Sequence, residues 1–186
     1  MKKTIAIVGD AVIEENGKKY TLAYETGKLL VENGYRLQSG GMQGVMQAAF
    51  CGAKHATNAQ DGDTVAIVPS FDRASANPYA DVVVATGLDL FRNVIVANAD
   101  AVVVIGGGAG TLAEIASAWA LKRLIIAFEG VDGWSSKVAG TRMDHRDRYP
   151  DIPEDRVFAV ATPEEAVALV NQYIDRYDGL YGGIKK

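Results

Sequence analysis

The chain has a single cysteine, Cys51, so no disulfide can form within it and a zinc site built on several cysteines is excluded. Cys51 itself reads as a small buried apolar residue. Histidine is almost as scarce. His55 and His145 stand far apart, without H-x-x-x-H spacing, and no metal site is expected. Basic residues are not in excess, and a net charge of −4 argues against a nucleic-acid partner held by phosphate neutralisation. No apolar run approaches the ~20 residues that span a bilayer, so no membrane partner is expected. The opening MKKTIAIVGD places two lysines before an apolar run, as a secretory signal does. That run is too short for an h-region and Asp10 interrupts it, which predicts a cytoplasmic protein. Also missing are a Gly-Lys-Ser/Thr phosphate loop, a full G-x-G-x-x-G fingerprint and any serine in a G-x-S-x-G setting. There is no internal repeat, linker or low-complexity stretch.

What is present is an alternation. Short runs rich in Val and Ile (TIAIVG, YRLQ, DTVAIVP, VVVA, DAVVVIG, LIIAF, VFAVA) take turns with stretches of helical period. Nearly continuous apolar strands between helices predict a parallel sheet covered on both faces. The expected fold is α/β, a doubly wound, Rossmann-like sheet in one domain over residues 1–178. A loose tail, or an arm onto a neighbour, is expected at 179–186. The segment LDLFRNVIVANA (88–99) reads as one helix. Residues 129–156 read as a long irregular segment with a short helix inside, and loops of that length are usually functional or mobile. Thr162 and Pro163 carry the signature of a helix start.

Doubly wound sheets bind ligands outside the carboxyl ends of their strands, which turns attention to the loops there. Three of these loops carry glycine: Gly9-Asp10-Ala11, Ser39-Gly40-Gly41-Met42-Gln43-Gly44, and Gly106-Gly107-Gly108-Ala109-Gly110-Thr111. Glycine lets backbone N–H groups approach a phosphate, and the following helix adds the positive end of its dipole. A small phosphorylated ligand is therefore the expected partner. Asp10 would repel that phosphate directly and is read as bonding a hydroxyl or ring nitrogen instead. Arg92, with Asn93 beside it, suits a phosphate fork. Glu114 has two readings. Thr111-Leu112-Ala113-Glu114 fits a T-x-x-E capping box. The same carboxylate, on a first helical turn beside a bound anion, also suits activation of water or stabilisation of an oxocarbenium-like centre. In TRMDHRDRYPD, the residues Arg142, His145, Arg146 and Arg148 read as a solvated mixed-charge loop, with a lid over an anion as the alternative. Trp134 reads as either a stacking platform or a loop anchor. Ala116, Ala118, Trp119 and Leu121 read as core, with an oligomer interface as second choice.

These loops also carry a family resemblance. Gly106-Gly107-Gly108-Ala109-Gly110-Thr111-Leu112-Ala113-Glu114 resembles the P-G-G-x-G-T-x-x-E signature of the Rossmann superfamily containing the LOG phosphoribohydrolases and the molybdenum cofactor carrier proteins. Glycine here replaces the leading proline. Gly40-Gly41-Met42-Gln43-Gly44-Val45-Met46 resembles the second signature, G-G-x-x-G-x-M. In LOG enzymes an arginine in a M-H-x-R-K segment and the glutamate of the first signature carry N-glycosidic hydrolysis of nucleoside 5′-monophosphates. This chain keeps Arg92 and Glu114, lacks the Met-His pair and has Asn93 for the lysine. A T-G…R-N segment ahead of the glycine motif, here Thr86-Gly87 and Arg92-Asn93, is similar to the carrier branch. The resemblance implies a bound molybdenum cofactor or nucleotide, no cofactor required for catalysis, and a homodimer or homotetramer. If the chain is an enzyme, it implies a nucleoside monophosphate hydrolase with Arg92 and Glu114 as the working pair. The older label "lysine decarboxylase-like" has no support, because Lys54-His55 reverses the Schiff-base order. A sensor of nucleotide-derived signals would need an effector partner.

Overall fold

The computed structural model describes residues 1–179, so the bulk of the expected tail lies outside the described residues. Seven parallel strands form one sheet in the order β4-β3-β2-β1-β5-β6-β7. The strands are β1 (Thr4–Gly9), β2 (Arg36–Ser39), β3 (Thr64–Val68), β4 (Val82–Ala85), β5 (Ala101–Ile105), β6 (Leu124–Phe128) and β7 (Val157–Val160). The helices are α1 (Lys18–Glu32), α2 (Val45–Lys54), α3 (Asn93–Ala97), α4 (Ala109–Ala120), α5 (Trp134–Val138) and α6 (Pro163–Tyr173). This is the α/β, Rossmann-like sheet that the sequence predicts.

The apolar strands are explained by a core on each face. Side chains alternate across a strand. Ile5 and Ile7 of β1, with Ala101, Val103 and Ile105 of β5, pack beneath α1, α2 and α6. Ala6 and Val8, with Val102 and Val104, pack beneath α3 and α4. The winding reverses at β1, which pairs with β2 on one side and β5 on the other. The crevice of a doubly wound sheet opens at such a reversal.

One expected helix is broken. Residues 88–99 form a 3₁₀ turn over Asp89–Arg92 followed by the short α3. Asp89 sits at φ +49°, after Gly87 at +64°, and its N–H donates to the Pro69 carbonyl. The segment therefore begins as a tight turn tied to the end of β3. The β-branched run that follows has weak helix propensity. In the 129–156 segment the short expected helix is α5, and part of the remainder is pinned by Arg148. That arginine is neither solvated nor a lid. It is 5% exposed, and its Nε and Nη2 donate to both carboxylate oxygens of Asp155 at 2.9 and 2.5 Å. Arg142 and Arg146 do pair with Asp147 and Asp144 at the exposed surface, as a mixed-charge loop would.

Candidate functional site

The loops after β1 and β5 are tied together, and the loop after β2 joins them through α2. The Gly9 carbonyl accepts a hydrogen bond from Thr111 Oγ1 at 3.2 Å. The Asp10 carbonyl accepts one from Val45 N–H at the start of α2. Asp10 Oδ2 accepts from Gly107 N–H at 2.9 Å and from Lys19 Nζ at 2.5 Å. The Asp10 charge is thus spent on holding the β5 loop and on Lys19, which also reaches Asp132 at 2.9 Å. Burial works against the charge of Lys19, but its bonds to the two aspartates outweigh that and raise its pKa.

Between these loops lies a cleft of about 440 Å³. Of the candidate residues, Gly9, Asp10, Arg92, Asn93, Gly108, Gly110, Thr111 and Glu114 line it. Ser39, Gly40, Gly41, Met42, Gly44, Gly106, Gly107 and Ala109 do not, and most of these have other work. Ser39 Oγ accepts from Gly41 N–H and shapes its loop. Gly41, at φ +69°, has no room for a Cβ beside Ala66. The carbonyls of Gly41 and Met42 accept from Asn77 Nδ2. Gly44 abuts the Asp10–Ala11 backbone, and the Arg92 guanidinium lies across Gly40. Gly106 and Gly107 are stitched to α5: Gly106 N–H donates to Ser135 Oγ at 2.8 Å, and Trp134 N–H donates to the Gly107 carbonyl at 2.9 Å. Trp134 is a loop anchor, with Lys137 Nζ 4.7 Å from its ring centre.

Gly108 and Gly110 are different. Neither has a positive φ, and a Cβ on either would meet nothing within 4 Å. Backbone geometry and packing both permit a side chain there. Bare glycine leaves open the N-terminal turn of α4, whose first N–H groups have no acceptor within the helix. Cleft-lining residues outside the candidate set are Ala11, Val12, Met46 and Leu90. Met46 ends the quoted G-G-x-x-G-x-M stretch, which could have flagged it. Leu90 is 70% exposed and had no signal.

Glu114 does not cap its helix. α4 starts at Ala109 with Gly108 as N-cap, so Thr111 already lies inside the first turn. Glu114 is buried, and its Oε1 accepts from Arg92 Nη1 at 3.0 Å. Arg92 Nε is also buried and has no partner among the described residues. Burial pushes the Glu114 carboxyl up to about 7, against the pull of Arg92. A carboxyl raised in this way holds its proton more tightly in the folded chain than in the unfolded one. Its stabilising effect is complete below about pH 4.5 and is lost as pH rises through about 7. The expected loss from this group between those limits is on the order of 3 kcal/mol. Urea denaturation of ligand-free protein at pH 5 and pH 8 measures it. Glu114→Gln should flatten that slope, and parallel curves for the two proteins would mean that Glu114 ionises normally.

The same fold recurs in known proteins. TM1055, a structural-genomics target solved by X-ray crystallography, is 32% identical, with 91% of this chain and 99% of that chain covered at a TM-score of 0.77. The molybdenum cofactor binding protein of the phototrophic bacterium Rippkaea orientalis is 28% identical over 94% of this chain and 98% of its own, at a TM-score of 0.76. The molybdenum cofactor carrier protein of Chlamydomonas reinhardtii is 27% identical over 92% and 98%, at a TM-score of 0.72. The family model that matches residues 2–167 is that of the SLOG cluster4 family, to which this chain belongs.

Proposed function

We propose that the cleft holds the phosphate of a flat-ringed small molecule of molybdenum cofactor or nucleotide type, and that the chain is a binding or carrier protein. The observation that carries this reading is the pair Gly108 and Gly110, left bare over the N-terminal turn of α4 where neither fold nor packing demands glycine. Helix N-termini of this kind receive phosphate groups. Arg92 lines the same cleft with an unspent Nε–H, and can turn from Glu114 to the ligand. Glu114 then takes up the proton that its burial favours. The likeness to two proteins described as binding or carrying the molybdenum cofactor supports the same class of ligand.

A second reading, a nucleoside 5′-monophosphate phosphoribohydrolase, is favoured by one observation. A buried carboxyl pushed up to about 7 beside an arginine is equipped for proton transfer near neutral pH. Release of free base from a panel of nucleoside 5′-monophosphates, with Glu114→Gln as control, separates the two. Release that the variant lacks establishes the hydrolase. Binding of inorganic phosphate without release establishes the carrier, and mass spectrometry of what co-purifies then identifies the cargo.

The working unit is a homo-oligomer. Leu88, Leu90, Phe91, Val94 and Ile95 expose apolar surface around the 3₁₀ turn and α3. Val82 and Val84 do so on β4, at the edge of the sheet. Exposed apolar surface of this kind supports an interface there. Phe91→Glu should reduce the mass seen by light scattering to that of one chain. An unchanged mass would move the interface elsewhere.

A further inference from the structure

The cleft has an aromatic-lined neighbour. Across the Ala11-Val12 segment, towards α1 and α2, lies a second compartment of about 340 Å³. Ala11 and Val12 line both spaces, so the two adjoin. Their linings differ in kind. The cleft has Arg92, Glu114 and bare glycine, with no aromatic side chain in its wall among the described residues. The second compartment is lined by Tyr20, Tyr79, Gln43, Gln47, Glu15 and Cys51. Each volume falls within the range of small-molecule sites.

We infer that this second compartment is the ring subsite: it takes the flat heteroaromatic end of a phosphorylated ligand whose phosphate lies at the N-terminus of α4. The inference rests on the phosphate reading of the cleft and adds what the cleft lacks. A bicyclic heteroaromatic ring needs apolar area on its faces and donors and acceptors at its edge. Tyr20 and Tyr79 supply ring surface. Gln43 and Gln47 each supply an amide that both donates and accepts, which suits an edge that alternates N–H and C=O. Glu15 accepts from an exocyclic amino group.

The chemistry at the back of the compartment is settled within the protein. Burial and then the Cys51 thiol raise the Tyr20 phenol, and the same thiol raises Tyr79. Both hydroxyls therefore keep their protons and remain donors. The Tyr20 ring also stacks on Tyr24, with centres 6.2 Å apart, and Tyr24 in turn contacts His55 at 5.7 Å. This row along the seam of α1 and α2 holds Tyr20 in place.

The test uses three probes on the full chain: inorganic phosphate, ribose 5-phosphate and guanosine 5′-monophosphate. Guanine has the amino-oxo-pyrimidine edge that pterins share. Calorimetry should find the ring-bearing probe at least about tenfold tighter than ribose 5-phosphate in the wild type. The double variant Gln47→Leu/Tyr79→Phe keeps volume and removes two hydrogen-bonding groups. It should erase most of that tenfold preference while binding inorganic phosphate within about twofold of wild type, since two lost hydrogen bonds are worth about that factor. Gln43→Ala, at an exposed position, should reduce the preference severalfold without any risk to the fold. Equal affinity for the two sugar phosphates in the wild type would overturn the ring subsite and leave the phosphate reading standing, as would variants that keep the full preference. Failure of the wild type to bind inorganic phosphate would overturn the phosphate reading, and the ring subsite with it.

Discussion

Gly108→Val is expected to reduce affinity for inorganic phosphate by at least about a hundredfold while leaving a folded protein. Gly108 is the N-cap of α4, with φ −100° and ψ −152°, an extended backbone that valine adopts. A Cβ there meets nothing within 4 Å, so nothing among the described residues resists the new side chain. Its methyl groups stand where an anion would approach the first N–H groups of the helix. Each charge-assisted hydrogen bond to an anion is worth about 1.5–3 kcal/mol, and a hundredfold loss corresponds to about 2.7 kcal/mol, so excluding one or two suffices. The stability cost is that of a poor N-cap, about 1 kcal/mol, or a fall in Tm of roughly 2–4 °C. Gly110→Ala sharpens the comparison. Gly110 lies inside the first turn of α4, where alanine is the better helix former by about 0.5–1 kcal/mol. That variant should melt higher and bind phosphate more weakly, and two changes in opposite directions cannot come from damage to the fold. Intact phosphate affinity in both variants would mean that the anion does not sit at α4.

A bulky residue at Gly41 would give no such separation, although its glycine sits in the other quoted signature. Gly41 needs its positive φ, and a Cβ there overlaps Ala66 on β3. Losing the ligand would then mean only that the loop had failed to form. The sequence makes the glycines visible but cannot sort them. Gly9, Gly41, Gly44 and Gly106 are required by neighbouring atoms of the protein, Gly40 faces the Arg92 guanidinium, and Gly108 and Gly110 meet nothing among the described residues. That distinction depends on what faces each Cα, which spacing does not record. The strands were easier to read because a parallel sheet covered on both faces needs uninterrupted apolar runs, and β5 is buried at every position.

The two T-x-x-E segments show the same limit. Thr162-Pro163-Glu164-Glu165 forms a complete capping box, with Glu165 N–H donating to Thr162 Oγ1 and the Glu165 carboxylate accepting from Thr162 N–H. Thr111-Leu112-Ala113-Glu114 has the same spacing and forms none. The glycines before Thr111 let the helix begin earlier, so its threonine turns to the Gly9 carbonyl and its glutamate to Arg92. A cap signature is read relative to a helix start, and in glycine-rich sequence that start is poorly marked. The pairing of Glu114 with Arg92 spans two separate elements and had no local signal.

Arg148→Ala is expected to be among the most destabilising single substitutions in the chain, at about 3–5 kcal/mol, because it leaves a buried carboxylate without its partner. Arg148 and Asp155 are almost wholly enclosed, with side-chain exposures of 3% and 2%. Arg148 Nη1 also donates to the carbonyls of Trp119 and Arg123 at 3.2 and 3.1 Å, satisfying the end of α4. Its guanidinium lies 3.6 Å from the centre of the Trp119 ring. Asp155 Oδ1 accepts a further bond from Tyr177 at 2.7 Å, and burial followed by that bond raises the tyrosine far above its ordinary range. Through Asp155 and Tyr177, one arginine therefore ties the 129–156 segment and the residues after α6 to α4. In sequence it stands in DHRDRYPD, where alternating charge reads as solvated. Nothing local indicates that Trp119, 29 positions away, will cover it. By thermal unfolding the loss should be a Tm fall of roughly 10 °C or more. The double variant Arg148→Met/Asp155→Leu should recover much of that loss, because apolar groups of similar volume fill the space without a stranded charge. If the double variant is as unstable as the two single losses added together, the ion pair contributes nothing through mutual compensation. The contacts of Arg148 with the Trp119 ring and with the Trp119 and Arg123 carbonyls would then account for its effect.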